Sequence, residues 1–120
     1  MRIAALLLLA LFSFGWAQPR IVTVDDLKAA LSNPKVFLID VRTPQEFAQG
    51  HIKGAVNWPL QEIERWWNQV PKDRPVYIHC NTQNRSGVAV QYLMGKGYRN
   101  LNLVNGGIQA WMARRYPVTR

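Results

Sequence analysis

The feature that most constrains this chain is the run from Lys35 to Gly50, "KVFLIDVRTPQEFAQG". A continuous apolar stretch ends in charge and passes at once into a helix start. Apolar residues without alternation read as a strand covered on both faces, as in a parallel sheet. Thr43 then stands as the N-cap, Pro44 as the first helical residue, Glu46 as the partner in a capping box, and Gly50 closes the turn.

The same alternation runs through the rest of the chain. After the apolar "RIV", Thr23 and Asp26 give a second capping signal, Leu27, Ala30 and Leu31 share a helical face, and Pro34 marks the stop. A short strand in "AVNW", a helix over "LQEIERWWNQV" and the strand "PVYIH" follow. Ser86 opens a helix in "SGVAVQYLMGKG" that Gly95 or Gly97 ends; the strand "LNLV" and a last helix in "GGIQAWMARR" precede Pro117. The predicted fold is α/β: a parallel five-stranded sheet with helices on both faces.

The chain has 120 residues, 48% of them apolar, which suits one compact domain and leaves no room for two. Fifteen Lys and Arg against seven Asp and Glu give a net charge of +8. That balance favours anionic ligands, but the basic residues are scattered, so a pocket for a small anion is expected and nucleic acid is not. Residues 1–17, "MRIAALLLLALFSFGWA", combine one basic residue, an apolar core from Ile3 to Phe14 and small residues near the end, the pattern of a secretory signal peptide. The apolar core falls short of the ~20 residues a membrane span needs, so no stable membrane insertion is expected. The expected mature chain is one domain over residues 18–120, periplasmic or secreted, and monomeric.

Cys80 is the only cysteine, so no internal disulfide can form, and a lone thiol sent to an oxidising compartment suggests a use. It stands where the strand "PVYIH" ends, the edge at which open parallel sheets bind ligands. Asn81, Thr82, Gln83, Asn84, Arg85 and Ser86 follow it. Curled into a cup, these residues would turn backbone N–H groups and a helix N-terminus toward the sulfur, surroundings that favour a thiolate. The competing reading is a small packing residue, but six polar neighbours argue against it.

Three segments together resemble the rhodanese family of sulfurtransferases: "LIDVRTPQEFAQGHIKGAVNWPL", "YIHCNTQNRSGVAVQYLMGKGY" and "LVNGGIQAWMARRYPV". With the leader, the chain is similar to the small exported members of the phage-shock-protein-E type. The resemblance implies a single rhodanese-like domain without cofactor. Cys80 would take a sulfane sulfur from thiosulfate or a similar anionic donor, hold it as a persulfide, and pass it to cyanide or a thiol. Arg85 and residues 81–84 with Ser86 would bind the donor, the planar fork of Arg85 suiting an oxyanion. Where many members carry glycine three residues after the cysteine, this chain has Gln83, which would have to bear a positive φ or take another shape.

His79 precedes Cys80 but points to the other face of its strand, so it is poorly placed as a base for the thiol. His51 reads as a hydrogen-bonded structural residue, and one cysteine with two distant histidines gives no metal-binding spacing. Asp40, Arg42 and Trp58 lie at strand ends and are candidates for the pocket border; Trp111 reads as core. Two other functions compete. Phosphatases of similar design have a loop one residue longer than the six residues from Cys80 to Arg85. A sulfur-relay or partner-docking module with little turnover is the other alternative.

Overall fold

The structure, a computed structural model, describes residues 18–120; the expected leader lies outside them. Its strands are β1 (Arg20–Val22), β2 (Phe37–Asp40), β3 (Val56–Asn57), β4 (Val76–His79) and β5 (Leu101–Val104). Its helices are α1 (Val24–Ala30), α2 (Pro44–Gln49), α3 (Ile63–Trp66), α4 (Asn84–Gly95) and α5 (Gly107–Ala113). Both capping boxes form as the sequence predicts. Thr23 opens α1 by exchanging hydrogen bonds with Asp26, and Thr43 opens α2 by doing the same with Glu46, with Pro44 in the first turn.

The five strands form one sheet in the order β1-β5-β4-β2-β3, and every pairing is parallel. Ile39 lies opposite Ile78 and Ile78 opposite Leu103, so their side chains share a face. That face packs with Ile63 and Trp66 of α3 and with Ala89, Val90 and Leu93 of α4. Leu38, Tyr77 and Val104 take the other face, with Leu27 of α1 and Trp111 of α5. Burying each large aliphatic side chain contributes about 1.5–3 kcal/mol, so the two layers hold the sheet from both sides. The chain leaves β4 for one face and β5 for the other, and the opening lies at the carboxyl ends of these neighbouring strands.

Two elements differ from the sequence pattern. The run from Leu60 to Val70 is a broken helix: a 3-10 turn at Leu60–Glu62, then α3, then a 3-10 turn at Trp67–Gln69. Side chains add bonds to carbonyls along this run, two of which also accept from 3-10 backbone N–H groups. The Trp66 indole donates to the Pro59 carbonyl, and the Tyr98 hydroxyl donates to the carbonyls of Trp67 and Val70, 2.8 Å from each. Helix α4 also opens at Asn84, two residues before Ser86, with Gln83 as N-cap making no side-chain cap bond. Asn84, Arg85 and Ser86 therefore form the first helical turn, and only residues 80–83 form the loop.

Candidate active site at the end of β4

Cys80 is the first residue after β4 and is 1% exposed. Its packing role and its chemistry coexist: the residue belongs to the core under α4, yet its sulfur lies 3.3 Å from the Ser86 hydroxyl. That hydroxyl also donates to the Gln83 carbonyl at 3.1 Å. By rotating, it can give its proton to either the carbonyl or a sulfur anion. Thr82, Gln83 and Asn84 are exposed, so the sulfur forms the floor beneath a polar rim.

The loop takes its orientation from α5. Ile108 N–H donates to the Cys80 carbonyl at 3.0 Å and Gln109 N–H to the Asn81 carbonyl at 3.1 Å. A Cβ built on Gly107 would fall 2.3 Å from the Cys80 oxygen and 2.7 Å from those of Asn81 and Thr82, so three carbonyls crowd this glycine. A trans peptide sets its N–H opposite its C=O. The amides of Asn81, Thr82 and Gln83 therefore point away from α5, to the inner side of the loop. Among the described residues no protein acceptor takes the amides of residues 81–86. Together with the start of the twelve-residue α4, they form a nest of unfilled donors suited to an anion. Gly106 and Gly107, both at positive φ, make the turn from β5 into α5, and Gly107 adds close contact with the loop.

Gln83 sits at φ −161° and ψ −11°, extended in φ and outside the left-handed region. Glutamine thus needs no positive φ here; the loop takes the other shape.

The two arginines are held by carboxylates. Arg42 is buried: its Nε and Nη2 lie 2.8–3.1 Å from the Asp40 oxygens, and Nη2 also donates to the Gly50 carbonyl at 2.8 Å. Asp40, fully buried, accepts from the Arg42 backbone N–H as well. This pair is a strut, with the Nε and Nη2 donors turned to protein. Arg85, expected to grip a donor, instead makes a forked pair with Glu46 at 2.6 and 3.0 Å, each side chain about one-third exposed. The bond to Arg85 holds the Glu46 carboxyl down at about 2, and Glu46 in turn raises Arg85. In a single sequence Glu46 shows only its helix-capping role; its partner lies 39 residues away.

His79 is fully buried, and burial lowers its pKa, so the ring is neutral. Nδ1–H donates to the Cys80 carbonyl at 3.2 Å, while Nε2 has no hydrogen-bond partner and lies 3.7 Å from Asp40. The ring thus steadies the loop backbone and makes no bond to the thiol. His51 is structural as predicted: it stacks on Phe47 with ring centres 3.7 Å apart and hydrogen-bonds the Phe47 carbonyl. Trp58, a candidate pocket wall, packs its ring between Phe37 and Trp66, 5.4 Å from each. Phe37 starts β2, so the ring lies back along the core, away from the strand end. Trp111 is core, its indole N–H donating to the Pro117 carbonyl.

Comparison with known proteins identifies the family of this chain. The rhodanese-like domain model matches residues 23–114. An uncharacterized protein of Bacillus subtilis is 35% identical over 108 residues, covering 90% of this chain and 86% of its own length. A protein named sulfurtransferase in Allochromatium vinosum is 42% identical over 83 residues, 69% of this chain and 78% of that one. Among solved structures, a rhodanese-related protein from Thermoplasma volcanium superposes with a TM-score of 0.77 at 33% identity, covering 83% of this chain and 97% of the other. The match spans the cysteine loop and the helix that pins it, and the chain belongs to the rhodanese-like domain family.

Proposed function

We propose that the protein transfers sulfane sulfur through a persulfide on Cys80. The observation that carries this reading is the loop's orientation: Ile108 and Gln109 bind its carbonyls from outside, leaving its amides as a nest around the sulfur. The named sulfurtransferase of Allochromatium vinosum, 42% identical, supports it. The Cys80 thiolate attacks the outer sulfur of thiosulfate or a similar donor. The donor's S–S bond breaks with its electron pair on departing sulfite, and the new Sγ–S bond leaves a persulfide. A thiol or cyanide then takes the outer sulfur and returns the thiolate. Oriented amides, and the Ser86 hydroxyl once turned from Gln83, stabilise the anion in both states.

On the pattern of residues 1–17 we place the mature protein in a periplasm or outside the cell, as a monomer of the small exported type. No described helix is long and apolar enough to cross a membrane.

Intact-protein mass spectrometry after thiosulfate treatment tests the chemistry. The wild type is expected to gain one sulfur, about 32 Da, which cyanide removes as thiocyanate; Cys80→Ser is expected to gain nothing. A folded wild type that takes no sulfur from any sulfane donor would favour a partner-docking module instead.

A further inference from the structure

The geometry points to Glu46 as the residue that sets which sulfur donors the loop accepts: by cancelling the charge of Arg85, it favours donors with one negative charge over dianions such as thiosulfate. The inference rests on the sulfur-transfer reading and deepens it. Each charged group found at the site has a partner. Arg42 is matched by Asp40 and Arg85 by Glu46, His79 is neutral, and Asn81, Thr82, Gln83, Asn84 and Ser86 carry no charge. Glu46 keeps its proton off down to about pH 2, so the cancellation holds under any physiological condition.

What remains for an anion is the amide nest and the N-terminus of α4, equivalent to roughly half a positive charge. That field already serves the sulfur anion of Cys80. A dianion brings two more negative charges, while the two arginines described at the site, Arg42 and Arg85, are already paired. A thiosulfonate, R–SO2–S⁻, or a persulfide anion, R–S–S⁻, brings one. In the transfer from a thiosulfonate, the Cys80 thiolate attacks the terminal sulfur and forms the Sγ–S bond. The donor's S–S bond breaks and its electron pair leaves with the sulfinate R–SO2⁻. Two anions enter and two leave, with no proton moved and no net oxidation. Thiosulfate reacts by the same path, more slowly for its extra charge.

Four proteins vary the charge of the pair: Glu46→Gln (plus one), Arg85→Gln (minus one), and the wild type and double variant (zero). Glutamine at position 46 keeps the capping box, and circular dichroism melts verify folding. Thiosulfate and methanethiosulfonate present the same outer sulfur at charges of minus two and minus one. Mass spectrometry gives each donor's rate of sulfur loading, and the ratio of thiosulfate to methanethiosulfonate rates is the readout. It is expected to rise about five- to tenfold in Glu46→Gln, fall by a similar factor in Arg85→Gln, and return to within about twofold of wild type in the double variant. A ratio that stays flat across the four, or a double variant that keeps the ratio of either single change, would overturn the proposal, because the pair would then only shape the loop. Wild-type protein that loads from neither donor would instead overturn the sulfur-transfer reading itself.

Discussion

Gly107 shows how one residue governs the site from the far side of the loop. At φ +54°, with three carbonyls where a Cβ would stand, it admits no side chain. Gly107→Ala is expected to cost about 3 kcal/mol or more, read by thermal unfolding, because backbone atoms rather than a flexible side chain must move. Ser86→Ala is gentler: it removes one hydrogen bond to the sulfur and is expected to slow persulfide formation about tenfold, in the range of one bond to a charged group. Stopped-flow or timed mass spectrometry measures that rate. At this scale the sequence singles out Cys80, Ser86 and the unusual Gln83, because their meaning lies in the polar run they share. It does not show that Arg85 pairs with Glu46 or that Trp58 packs between Phe37 and Trp66, since both depend on contacts distant in sequence.

Elements were legible where their signals are local. Thr23 with Asp26 and Thr43 with Glu46 fix two helix starts within four residues each, and the structure keeps both. The broken run after Pro59 was not legible, because it is fastened by contacts distant in sequence, among them Tyr98, 31 residues beyond Trp67, whose hydroxyl also bonds the Trp67 carbonyl. The start of α4 was hidden for another reason: Gln83 caps it without a side-chain bond, so no capping residue announces Asn84. The α2 cap also reaches the site, since Thr43 Oγ1 and the Thr43 N–H each bond Glu46 at 3.0 Å. Thr43→Ala is expected to cost about 1 kcal/mol by chemical denaturation. It is also expected to loosen Glu46, moving the donor-rate ratio toward that of Glu46→Gln.

Across the whole molecule three groups shifted downward, His79, Glu46 and the Asp25 carboxyl held down by Arg114 and Tyr116, give stability a stepped pH profile. His79 has its pKa lowered from 6.5 by burial, so the unfolded chain binds that proton first; its contribution is full above 6.5 and is lost as pH falls below it. Glu46, lowered from 4.5 to about 2, adds stability above 4.5 that is lost as pH falls toward 2. Melting temperature is therefore expected to fall in two stages on acidification, the second smaller in Glu46→Gln because only Asp25 then contributes to it; a second stage unchanged in that variant would contradict this assignment. The order β1-β5-β4-β2-β3 also has a consequence for the chain as it is made. The first strand, beginning at Arg20, pairs with no strand but β5, whose last residue is Val104. A growing polypeptide can hold no complete five-stranded sheet until β5, up to Val104, has emerged. The loop that carries Cys80 thus gains the amide contacts of Ile108 and Gln109 only after every described strand has been made.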